Sequence, residues 1–247
     1  MNKLAVLAFA LLLFFSSMLW YLASGSLNEY LKSQIELQGH YYSGQETTLA
    51  LADFSSNTGT AKFSQLSLAN LSLYQAQQAL IIDEVHVELS TSQHHHLLTE
   101  INEVNINKLT INIEYKAGDI SNIEQLIQKT SLKLAQDYPE LYPVISAKIY
   151  ARNNPELNAE KYAEINPQSG PIIEHTTPKK KRGRPQQKII ISTINIKNLE
   201  LNTIESGVVN SIQKHNVKLN AIGGTKGLVI NQIGGEVLLH LLKLARE

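Results

Sequence analysis

The sequence predicts an α+β protein: an N-terminal transmembrane helix, then a curved and mainly antiparallel β-sheet domain with two or three helices. Three observations predict it. Residues 4–23, LAVLAFALLLFFSSMLWYLA, carry no charge. Stretches such as ALIIDEVHVELS and VNINKLTINI place apolar residues at the short intervals of a half-buried strand. Two other stretches, after Ser121 and near the C-terminus, change to helical spacing. The chain has 247 residues, 43% of them hydrophobic and 18% charged, enough for a real core and unlike a disordered chain. It has no cysteine, which excludes disulfides, thiolate metal sites and thiol nucleophiles.

The elements follow in order. Twenty helical residues rise roughly 30 Å, about one hydrocarbon core. Trp20 and Tyr21 stand at the far end, where aromatic rings favour the interface, and Lys3 marks the cytoplasmic side. Two readings stand: an uncleaved anchor over residues 1–25, or a signal peptide cut near Ala23-Ser24-Gly25. Both export residues 26–247. Ser26 and Glu29 have capping-box spacing, and Leu27, Tyr30, Leu31 and Ile35 repeat as a helix that should stop near Gly39. A turn between Gly39 and Gly44 leads to a strand from Thr47, with Leu49 and Leu51 on one face.

Three stretches then share one pattern, apolar-x-apolar-x-x-apolar-x-apolar: LSLANLSL from Leu66, VNINKLTINI from Val104 and INIKNLELN from Ile194. The two-residue spacer shifts the phase once, as a bulge or tight bend does. ALIIDEVHVELS and NVKLNAIG add further strands. Ser121 and Glu124 give a second capping box, with Ile123, Leu126, Ile127 and Leu134 on one helical face and Tyr138-Pro139 as the stop. Ile233, Val237, Leu238, Leu241, Leu242 and Leu244 mark a final helix. Residues 152–188 hold five of the seven prolines and read as an insertion.

That insertion carries Lys179, Lys180, Lys181, Arg182 and Arg184. With Lys188 they are six of the chain's 22 cations, leaving 16 against 22 acidic residues elsewhere. Arg182-Gly183-Arg184-Pro185 matches the core of a minor-groove DNA hook, but a basic knot on an acidic, exported body is not a DNA-binding face. The reading is a basic loop without a nucleic-acid partner, whose cations contact anionic headgroups. His94-His95-His96 is a solvated run with no matching ligand set nearby. Glu84, His86 and Glu88 share the wet face of a strand, and Gly223–Gly227 lacks phosphate-loop spacing and reads as a turn. No Gly-x-Ser-x-Gly is present. No cofactor, metal or catalytic residue is assigned.

IELQGHYYSGQETTLALADF, KFSQLSLANLSLYQAQQALIIDEVHVEL, INEVNINKLTINIEYKAGDISNIEQL and NVKLNAIGGTKG together resemble short AsmA-like bacterial envelope proteins. The likeness covers most of the chain outside 139–187. It departs at Tyr74-Gln75, where that family often continues Asn-Pro-Gly-Phe. The resemblance implies a single-pass bacterial inner-membrane protein with its bulk in the periplasm, non-enzymatic, serving envelope assembly or lipid handling. An apolar sheet face would hold phospholipid acyl chains, at about 0.8 kcal/mol per buried CH₂. Ile106, Ile111, Ile113, Ile194, Ile196 and Leu201 are the candidates for that face. The alternative is a structural adaptor: its sheet is fully packed, and the Pro/Lys-rich loop recruits an envelope protein. A third reading is a metal-binding protein using the histidine run.

Overall fold

The computed structural model describes residues 27–90, 97–116, 120–153, 186–205 and 207–246. The expected anchor over residues 1–25, the histidine run and the basic cluster lie outside them. Among the described residues no helix is long and apolar enough to cross a membrane. The expected transmembrane helix, and the inner-membrane and periplasmic placement resting on it, are corrected accordingly. The α+β body stands with two changes: the sheet is mixed, and the described residues form four α-helices.

Helix α1 occupies 27–43. It passes the expected stop at Gly39, because that glycine is needed for packing. A Cβ there would lie 2.5 Å from Thr47 Oγ1. The helix ends one turn later, at Gly44, where φ is +67° and the amide donates to His40 O at 2.8 Å.

The sheet holds β1 (Thr47–Ser55), β2 (Thr60–Ala69), β3 (Gln78–Leu89), β4 (Leu98–Glu114), β5 (Lys188–Ile191), β6 (Ile194–Glu205), β7 (Val208–Leu219) and β8 (Leu228–Val229). β1 to β4 run antiparallel in sequence order. β5 and β6 lie end to end along the far side of β4, both parallel to it. β8 pairs with β5 and β7 with β6, each antiparallel. Parallel pairing of β4 needs a crossover, and the chain between β4 and β5 supplies it. Alternation of apolar residues carries no such directional information, so these two parallel pairings were not expected; among the described residues the other five are antiparallel, and the sheet is mixed.

One crease crosses every long strand. Pairing lapses where Ala50 meets Gln65, Gln65 meets Asp83, Asp83-Glu84 meet Asn107-Lys108, Asn107 meets Lys197 and Lys197 meets Asn216. The register is the same on both sides, so no strand gains or loses a residue there. Gln65 and Asn216 both take φ 53° on this line. Apolar residues straddle it three positions apart: Phe63 and Leu66, Ile82 and Val85, Ile106 and Leu109, Ile196 and Leu199. All eight pack in one core cluster. The expected bend is therefore present in β4 and β6. LSLANLSL differs, since β2 ends at Ala69 and its spacer leaves the sheet. The crease also moves β1 out of simple alternation: Leu49 is buried with Ala52, while Leu51 is exposed.

Helices α2 (Asn122–Asp137), α3 (Pro143–Asn153) and α4 (Ile230–Lys243) follow, with a 3₁₀ turn at Leu244–Arg246. Ser121 Oγ caps α2 by accepting from Glu124 N at 3.1 Å. The guanidinium of Arg246 clasps the Glu124 carboxylate at 2.6–3.0 Å, tying the C-terminus to the start of α2. α2 and α4 lay Ile123, Leu126, Leu134, Leu239 and Leu242 into the core. Gly235 lets α1, α2 and α4 converge, since a Cβ there would lie 2.8 Å from Tyr42 and 2.9 Å from Leu134. α3 starts on Pro143, a residue suited to the first helical position, and was not expected between the prolines.

Candidate functional site

The six residues expected to line a lipid groove are brought together, but in a closed layer. Ile111, Ile194 and Ile196 are 0% exposed, Ile106 3%, and Ile113 and Leu201 6%. They belong to the same core cluster as the apolar residues of α2 and α4. One row shows how the layer is built. Leu68, Leu80, Ile111, Leu201 and Ile212 are successive cross-strand partners from β2 to β7. The first four are 0–6% exposed, and the last, Ile212, is 58% exposed. The apolar layer thus runs past the part that is packed over and emerges on β7.

The opposite face of the sheet is polar. Asp53, Lys62, His86, Asn105, Asn195 and Lys218 form a second row across six strands. Along it lie two shallow depressions that share His86 and Asn105. The larger, about 540 Å³, follows the crease past Asn107, Lys197 and Asn216. Four of its polar side chains, Glu84, His86, Asn105 and Asn195, are bonded to neighbours. Asn195 Nδ2 donates to Glu103 at 2.5 Å and to Asn105 at 3.1 Å. Lys62 and His86 both meet Glu84, at 2.5 and 2.6 Å. The Lys62 ammonium, then the His86 ring, hold the Glu84 carboxyl below its usual range. The Glu200 carboxylate, 2.7 Å away, likewise raises Lys108. These are exposed ion pairs on a wet face, as expected of Glu84, His86 and Glu88. Among the described residues no group of three His, Cys, Asp or Glu is placed to hold a metal.

A buried polar knot holds the loop after β2 to the start of α2. Asn122, fully buried, accepts from Glu114 N and Ile123 N, both at 2.8 Å. Its Nδ2 donates to Asn70 Oδ1 at 2.9 Å and Asn112 O at 2.8 Å. The Glu114 carboxylate takes the amides of Gln75 and Ala76. Asn70 and Asn122 are the asparagines of the LSLAN and ISN stretches, so two separate sequence motifs are two halves of one contact. The knot orders the loops.

The two long outer strands of the sheet, β1 and β7, end differently. β1 is covered by α1. Asn28 Oδ1 accepts from Phe54 N at 3.0 Å, and Glu36 Oε1 accepts from Leu49 N at 2.9 Å. Lys32 Nζ reaches Ala50 O at 3.5 Å. Residues four apart on a helix share a face and advance about 6 Å, near two residues of strand. Asn28, Lys32 and Glu36 therefore track down the edge as the strand numbering falls. Among the described residues β7 pairs only with β6, and nothing pairs with its other edge. Val208, Val209 and Ile212 there are 56–60% exposed. Nothing in the sequence marks this site, because the expected strand begins at Asn216 and which strand is outermost depends on pairing order.

No protein-family model matches the chain, and no curated protein matches it.

Proposed function

We propose that the protein is a non-catalytic structural adaptor with a packed sheet, recruiting a protein partner rather than carrying lipid in its apolar face. The observation that carries this reading is the burial of the six groove candidates, none more than 6% exposed. An acyl chain could enter only by displacing the α2–α4 layer from apolar side chains already in contact with it. Full burial of one isoleucine stabilises by about 1.5–3 kcal/mol, so opening several at once is a large cost.

Lipid extraction and mass spectrometry of the purified full chain provide the test. The expected result is no stoichiometric phospholipid. Phospholipid at one or more per chain, lost in Ile111→Ser or Ile196→Ser variants that still fold, would return the acyl-chain reading.

A further inference from the structure

We infer that the open edge of β7 is the docking site, and that it takes an extended, aliphatic–acidic segment of a partner protein as a further strand. The inference deepens the adaptor reading and rests on it. Three features converge on this edge.

The first is backbone supply. β7 is twelve residues long and, among the described residues, pairs on one side only. Unpaired strand groups are a template for an added strand, whose main-chain bonds give affinity while its alternate side chains give specificity. The β1 edge cannot serve, because α1 side chains already occupy Leu49 N, Ala50 O and Phe54 N.

The second is the unfinished apolar row. Ile212 continues Leu80, Ile111 and Leu201 but stands 58% exposed. A strand beside β7 would place a side chain directly across from it, about 5 Å away.

The third is charge. β7 carries Lys214, His215 and Lys218 and no carboxylate. Among the described residues neither lysine has an ion pair. Lysine on a free edge blocks indiscriminate pairing, and two copies of β7 would bring like charges together. Lys214 lies opposite Leu199 and Ile212 opposite Leu201, so both project from the same face. The fitting occupant therefore presents an aliphatic side chain opposite Ile212 and a carboxylate two positions away opposite Lys214. A second carboxylate meets Lys218 on the other face.

The probe is a synthetic ten-residue strand peptide, threonine alternating with valine in one half and with glutamate in the other. Its binding to the full chain is read by fluorescence anisotropy beside a counterpart with lysine for glutamate. The glutamate peptide is expected to bind at least ten-fold tighter, and N-methylation of alternate amides to abolish binding. Lys214→Glu, and independently Lys218→Glu, is expected to shift preference toward the lysine peptide. Equal affinities, no binding of either peptide, or a preference unmoved by both charge reversals would overturn the inference. So would a dimer in sedimentation equilibrium that disappears in Ile212→Glu, since the occupant is then a second copy. Lipid content separates the two levels: bound phospholipid defeats the adaptor reading, whereas lipid-free protein that ignores the peptides defeats only the β7 site.

Discussion

β1 and β7 are the two long outer strands of one sheet, and they are finished in opposite ways. At β1, three side chains on one face of α1 take up backbone groups that would otherwise face water or another chain. At β7 no described helix covers the edge, and aliphatic side chains stand exposed beside lysines that have no ion pair among the described residues. Covering and charging are alternative answers to the same hazard, that an open strand pairs with whatever strand it meets. The difference teaches that the fold closes one side to association and leaves the other selective.

The largest expected effect contrasts two isoleucines in one cross-strand row. Ile111→Ala removes a fully buried side chain and should cost about 4 kcal/mol in urea unfolding, whereas Ile212→Ala at the exposed end should cost less than about 0.5 kcal/mol. Equal losses would mean that β7 is covered in solution. Next is the convergence of helices that holds α1 in place. Gly235→Leu drives a side chain into Tyr42 and Leu134 and should destabilise by about 3 kcal/mol. It should also weaken α1 against β1, seen as faster amide exchange along α1.

Removing the covering side chains would make the two edges alike. Asn28→Ala with Glu36→Ala strips acceptors from Phe54 N and Leu49 N, and should cost about 2 kcal/mol together. Hydrogen exchange at Leu49 and Phe54 should rise toward rates seen on the outer edge of β7. Exchange left at its original rate would show that α1 protects the edge by bulk rather than by these two bonds. The smallest effect belongs to Lys32→Ala. Its contact to Ala50 O is long, at 3.5 Å, and exposed, so the cost should stay below about 0.5 kcal/mol and exchange at Leu49 should not change.

The crease was the most legible part of the sheet. Ile106-x-x-Leu109 and Ile196-x-x-Leu199 announce it, and Ile82-x-x-Val85 repeats it on β3, the other neighbour of β4. Capping of α2 was plain in its Ser121 half, which is local, whereas the Glu124 carboxylate expected to complete the box goes to Arg246, 122 residues away. The burial of Ile106, Ile111, Ile194 and Ile196 was legible only in part. Alternation says that a strand hides one face, but not whether its own helices or a ligand hides it. The α1 cover was not legible at all. Asn28, Lys32 and Glu36 have the spacing of an ordinary solvated helix face, and their partners lie 13 to 26 residues away in backbone groups that carry no side-chain signature. Gly39 was misread for a related reason: a glycine that permits a close approach and one that ends a helix look the same until the neighbour, Thr47, is in place.

The crease also constrains how such a chain can change in length. Six strands carry their kink at one level with no register offset between neighbours. Inserting or deleting a single residue on one side of the kink in β4 would put its remaining isoleucines out of step with β3 and β6. Substitutions disturb one strand at a time, but a length change beside the kink disturbs three. One-residue offsets do occur away from it, at Leu68/Ala69 and Glu88/Leu89, near the strand ends.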